Sequence, residues 1–272
     1  MSRNRNIDFS VNGGPAIELM LAAERFVYGQ PHSENEGLHF DELYEEDFLD
    51  YCLDSREIAV NTSLHKVLLY LAGLEFSLYI YDDIDWIQDY TDFQKYAISM
   101  FEYMYSEVPI EFYSNSEEVV MEARRTYADR FHRGLNFIVD SAFAQLWSRK
   151  SFLCDFNILA SKRISQLTKS EYPFLEQDGR LRRANYFPMW LRHLIIKRES
   201  GCCHYCSRPV VIPSLINQAY DIDHVVPIAK GGSNDPTNLV LACMDCNNKK
   251  RANIILVPDT FAWPTRFIEP YQ

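Results

Sequence analysis

No stretch of this sequence is both long and apolar enough to span a bilayer: the most apolar zone, residues 67–81, is interrupted by Glu75 and is shorter than the roughly 20 residues a membrane helix needs. No basic segment followed by an apolar one opens the chain, and residues 1–7 are polar, so a secretory signal is not expected. These absences predict a soluble cytoplasmic protein with no membrane partner. Internal repeats and low-complexity tracts are also lacking, which excludes a repeat array. Basic residues are scarce in the first half: residues 1–148 hold 10 Lys+Arg against 27 Asp+Glu, a balance of −17. That segment is unsuited to gripping phosphates.

What the chain does have is a basic remainder and enough apolar surface for a core. Residues 149–272 hold 17 Lys+Arg against 11 Asp+Glu, a balance of +6, so the net −11 conceals an asymmetry. With 47% apolar residues and 14% aromatics in 272 residues, a main domain plus a smaller module is expected. From residue 15 to about 147 apolar residues recur every three or four positions, the helical period. Helices are predicted over 16–28, 40–53, 64–80 and 93–105. A further helix is predicted to open on a Ser114/Glu117 capping box and to bury Val120, Ala123, Tyr127, Phe131, Leu135, Ile138, Ala142 and Leu146. Acidic runs at Glu42, Glu45, Glu46, Asp47 and Asp50, and at Asp82, Asp83 and Asp85, read as solvated faces and are assigned no chemistry. The division expected is an acidic α-helical domain over 1–148, a basic helical connector over 149–198, a compact module over 199–258 and a tail over 259–272. Within the connector, Arg180, Arg182 and Arg183 read either as a solvated face or as phosphate contacts.

Four of the seven cysteines form two Cys-x-x-Cys pairs, Cys203/Cys206 and Cys243/Cys246, separated by 36 residues. Each pair offers two thiolates from one tight turn, and two such knuckles close a four-sulfur zinc site. A closed shell leaves no open position, so this Zn²⁺ is expected to be structural, and His204 inside the first knuckle is expected to be exposed. Cys52, Cys154 and Cys202 read as incidental thiols. Between the knuckles lie a β-branched stretch, residues 220–227, then Gly231-Gly232, then a short apolar strand over 239–242. A helix is predicted from Asn247. His224 is the candidate general base, since imidazole titrates near neutral pH. Asp223 and Asn247 offer oxygens to a hard cation, Mg²⁺ or Mn²⁺, and Lys249, Lys250 and Arg251 can neutralise backbone phosphates.

Asp223-His224 with Pro227, Gly231-Gly232, Asn238-Leu239 and Cys243-x-x-Cys246-Asn247 with Lys250 resemble the HNH nucleases in order and spacing. The resemblance implies a zinc-bound ββα-metal finger following the helical domain, mainly α overall, and endonuclease activity on nucleic acid, DNA above all. It implies that Asn238 orients the imidazole or fixes its loop. One position departs: the family usually has histidine where Asn247 stands. Two other readings remain open at the level of sequence. One is a zinc module that binds nucleic acid or protein without cutting. The other is a defence or toxin-type effector whose acidic helical domain docks a protein partner or a second copy of the chain.

Overall fold

The computed structural model describes residues 14–29, 40, 43–54, 57–76, 90–104, 106–211 and 220–259. Glu42, the run at Asp82, Asp83 and Asp85, and the tail from residue 260 lie outside them. The chain is mostly helical and forms two compact units, residues 1–51 with 63–146, and residues 52–62 with 147–272. Among the described residues no helix is long and apolar enough to cross a membrane.

In the first unit α1 (Gly14–Tyr28) packs against α3 (Ser63–Phe76). Between them in sequence a π-turn, Leu43–Asp47, runs into α2 (Phe48–Asp54), whose Phe48 ring meets Phe26 edge-on at 5.2 Å. After α4 (Tyr90–Tyr103) come α5 (Glu117–Thr126) and α6 (Ala128–Trp147). The expected single helix from Ser114 is therefore two. The Tyr127 backbone, at φ −103° and ψ 13°, closes α5 through its N–H to Ala123, and its carbonyl then starts α6. Ser114 is not the cap either: Ser116 occupies that place, and Ser114 Oγ accepts the Ser116 N–H instead. The expected apolar stripe is nevertheless buried at Val120, Ala123, Phe131, Leu135, Ile138, Ala142 and Leu146. Phe93, Phe101, Phe112 and Phe131 form its aromatic centre, ring centroids 5.5 to 6.1 Å apart. Gly134 lets α4 approach α6, since a Cβ there would lie 2.8 Å from Met100 Sδ.

The second unit contains α7 (Lys150–Ile164), α8 (Met189–Arg198), the antiparallel strands β1 (Tyr220–His224) and β2 (Leu239–Cys243), and α9 (Met244–Lys250). Tyr220 pairs with Cys243 and His224 with Leu239. Every residue of β2 is buried because the sheet has a wall on each face. Leu239 and Leu241 pack with Ile222 against Leu191 and Ile195 of α8, whereas Val240 and Val225 pack against Cys154 of α7. Asn157 of α7 donates to Thr237 Oγ1, pinning the 3₁₀ turn Pro236–Asn238 that leads into β2.

Between the strands the chain must turn close to its own backbone. Gly231 sits at φ +79°, and a Cβ on Gly232 would lie 2.0 Å from the Val226 carbonyl oxygen. This Gly-Gly pair delivers Ser233 to Asn238, all buried, beneath the end of β1.

Candidate active site

The four knuckle sulfurs of Cys203, Cys206, Cys243 and Cys246 lie within 4.8 Å of one another. A tetrahedral zinc with Zn–S near 2.3 Å needs sulfurs about 3.8 Å apart, so the cluster suits a structural zinc after a small contraction. All seven cysteines are free of disulfides. The first knuckle is shaped by Cys203 N–H donating to the Arg208 carbonyl and by Ser207 at φ +58°. The second begins α9, with Cys246 N–H donating to Cys243 Sγ. Burial and the neighbouring sulfurs push the Cys246 thiol up to about 12, so four thiolates need a cation between them.

His204 is buried rather than exposed. Its backbone N–H donates to the Leu241 carbonyl, extending the edge of β2, and its ring turns inward to Glu199 at 3.4 Å. The Glu199 carboxylate also meets Lys150 Nζ at 2.8 Å and the Arg198 guanidinium at 3.0 Å. Burial alone would raise its pKa, but His204, Arg198 and Lys150 together hold it at about 2. One buried carboxylate thus ties the start of α7 and the end of α8 to the zinc knuckle.

At the other end of the strand pair, His224 closes β1 and is buried. Its Nε2 lies 3.2 Å from Asn234 Oδ1. The orientation of the Asn234 amide is set by backbone on both sides: Nδ2 donates to the Arg182 carbonyl and Oδ1 accepts the Ala184 N–H. An oxygen facing Nε2 makes Nε2 the protonated nitrogen, which leaves Nδ1 as the acceptor. Burial lowers the His224 pKa to about 4; the Arg183 and Lys250 charges add to this, and Asn234 and Asp223 oppose it. The ring is therefore neutral at pH 7.

Asn238, expected to orient the imidazole or fix its loop, is wholly buried and bonded to backbone. Its Oδ1 accepts the Val226 N–H, and its Nδ2 donates to the Val226 and Ser233 carbonyls. It staples the loop that holds Asn234; the contact to the ring itself belongs to Asn234. Sequence reasoning passed over Asn234 because an Asn before Asp-Pro reads as a turn residue.

Asp223 Oδ2 accepts from Tyr205 OH at 2.7 Å and meets Lys250 Nζ at 3.0 Å. Lys250, expected to face phosphates, is 1% exposed and also donates to the His224 carbonyl at 2.7 Å. Its stem follows α9 inward, so it braces the site, while Lys249 and Arg251 are exposed. Asn247 Nδ2 donates to Asp221 Oδ2 at 2.9 Å. An amide beside a carboxylate must present its N–H, so the Asn247 oxygen points away. Among the described residues no hydrogen bond uses Asp223 Oδ1 or Asn247 Oδ1. Asp221, Asp223 and Asn247 thus carry hard oxygen donors on β1 and α9, and the contact measured among the three is the one from Asn247 Nδ2 to Asp221. Asp221 and Tyr205 were not expected here. The period of two that places Asp221 on the same strand face as Asp223 was the available signal for the first.

Compared with known proteins, residues 203–253 match the family model described as HNH endonuclease, so the chain carries an HNH domain in its second unit. No curated protein and no solved structure matches the chain.

Proposed function

We propose that the second unit is a metal-dependent endonuclease that hydrolyses phosphodiester bonds of DNA, with Nδ1 of His224 as general base. The observation that carries this reading is the Asn234 bracket. Its oxygen accepts from Nε2–H, which favours the tautomer with Nδ1 as the acceptor, and it fixes the ring. Nδ1 takes a proton from water as the new P–O bond forms. The leaving oxygen departs and takes its proton from solvent. The imidazolium so formed keeps its Nε2–H on Asn234 and feels the nearby Asp223 carboxylate. A bound divalent cation supplies charge neutralisation at the phosphate, and Asp223 and Asn247, joined by Asp221, are the residues that would hold it. Lys249 and Arg251 face outward from the end of α9, where backbone phosphates can be neutralised. The acidic first unit is a poor surface for DNA and a suitable one for a basic protein, as a restrained defence-type effector requires.

Supercoiled plasmid with Mg²⁺ tests the reading directly. The wild-type chain is expected to nick it, and His224→Ala to be slower by at least about a hundredfold. Equal or absent nicking in both proteins would sink the enzymatic reading.

A further inference from the structure

We propose that a cleft lined by Phe174, Arg182, Arg183, Asn185 and Asn234 seats one unpaired nucleotide of the strand being cut, so that this domain takes single-stranded or locally opened nucleic acid in preference to intact duplex. The inference rests on the nuclease reading for the purpose of the cleft and on geometry for its occupant.

The cleft measures about 540 Å³ and lies within the second unit. That volume falls among sites for small ligands, roughly 300–1,000 Å³, large enough for a nucleotide and far too small for a double helix. Its wall is shared with the candidate active site. Asn234 lines it and touches His224 Nε2, and Arg183 lines it and acts electrostatically on the same imidazole. Whatever sits in the cleft is therefore on the Nε2 side of the imidazole, with Asn234 between it and the ring whose Nδ1 would activate water.

The lining chemistry is that of a nucleotide. Arg182 and Arg183 are exposed and make no ion pair among the described residues, whereas Arg180, just before them, is taken by Glu176 at 3.0 Å. Two unpaired guanidinium groups suit a phosphate, which Arg binds bidentately. Phe174 is 38% exposed, with Tyr172 set edge-on to its ring at 5.8 Å, and a partly exposed aromatic ring in the cleft wall suits contact with a base lifted from its stack. Glu57 lines the same cleft; its carboxylate disfavours a second phosphate there and can accept from a base amino group.

The segment carrying these residues is built rather than loose. Lys169 N–H donates to Asp178 Oδ1 at 2.7 Å, and Glu176 N–H donates to the Arg180 carbonyl at 2.9 Å. Gly179, at φ +63°, packs where a Cβ would lie 2.6 Å from the Ser165 carbonyl oxygen of the turn after α7. The arginines and Phe174 are thus presented from a fixed hairpin, whose far end is bolted by Asn234 to the imidazole loop.

The test uses full-length His224→Ala protein, so that binding is read without cleavage, and a short fluorescein-labelled strand offered alone or as its duplex. The single strand is expected to bind more tightly than the duplex. Phe174→Ala and the double change Arg182→Ala with Arg183→Ala should each weaken single-strand binding about tenfold, with duplex binding unchanged. The arginine pair should also lower the salt slope by about 0.7 per lost phosphate contact. Phe174→Trp should retain binding, which separates a lost stacking face from a lost fold. Equal affinity for both forms, or no loss in either variant, overturns the proposal. Plasmid nicking by the wild-type chain separates the two readings. Nicking with cleft variants that bind and cut normally leaves the nuclease and removes the cleft. Strand binding lost in the cleft variants of a chain that never cuts leaves the cleft and removes the nuclease.

Discussion

Lys249 and Lys250 are adjacent and chemically identical, yet the fold gives them opposite tasks. Lys249 ends in solvent, whereas the Lys250 ammonium is buried between Asp223 Oδ2 and the His224 carbonyl. Removing a buried partner leaves the other charge uncompensated, which costs about 3–5 kcal/mol, while an exposed charge is worth under about 1 kcal/mol. Lys250→Met is therefore expected to lower the stability of the second unit by about 3–5 kcal/mol in a denaturant melt, and Lys249→Met by less than about 0.5. Similar losses for both would contradict the bracing role. This pair also shows how far single residues were legible. Motif order grouped the four cysteines, whose sulfurs the fold gathers, and offered His224, Asp223 and Asn247 as one site. It could not tell which lysine of a basic run follows the inner face of a helix, or which of two nearby asparagines, Asn234 or Asn238, reaches the ring.

The elements of the finger were easier to read, because each carries its own period. The β-branched stretch became β1, the apolar run became β2, and the helix begins at Met244, directly from the second knuckle rather than after it. The break at Tyr127 was not legible, since the apolar stripe continues across it and only backbone hydrogen bonds mark the change. Two five-residue strands and a seven-residue helix cannot bury enough surface alone; α7 and α8 supply the walls and the zinc knuckles clamp the ends. Chelating zinc should accordingly unfold the strand pair and α9 while the helices of the first unit keep their ellipticity, because that unit has its own aromatic core. Hydrogen exchange measured with and without chelator checks this. Protection persisting at residues 239–250 without metal would refute it.

At the scale of the whole molecule, the two units differ in how acid reaches them. His224 binds a proton near pH 6.5 when unfolded but only near 4 when folded, chiefly because burial disfavours its charge. Between those values the unfolded chain holds more protons, so stability falls as pH falls through that window and reaches its full loss, about 3 kcal/mol, below pH 4. Glu199 acts with the same sign at lower pH: its carboxylate is held at about 2, so its contribution is complete above 4.5 and is lost as pH falls from there. Both groups lie in the second unit, where protonation of the knuckle thiolates also releases zinc. The first unit carries many acidic side chains but no such buried carboxylate among the described residues. The second unit should therefore melt first on acidification, with melting temperature falling steeply from pH 6.5 to 4. His224→Gln removes the titrating ring and should flatten that slope while leaving the zinc-dependent loss in place. An unchanged slope in that variant would assign the whole acid sensitivity to the metal and none to the imidazole.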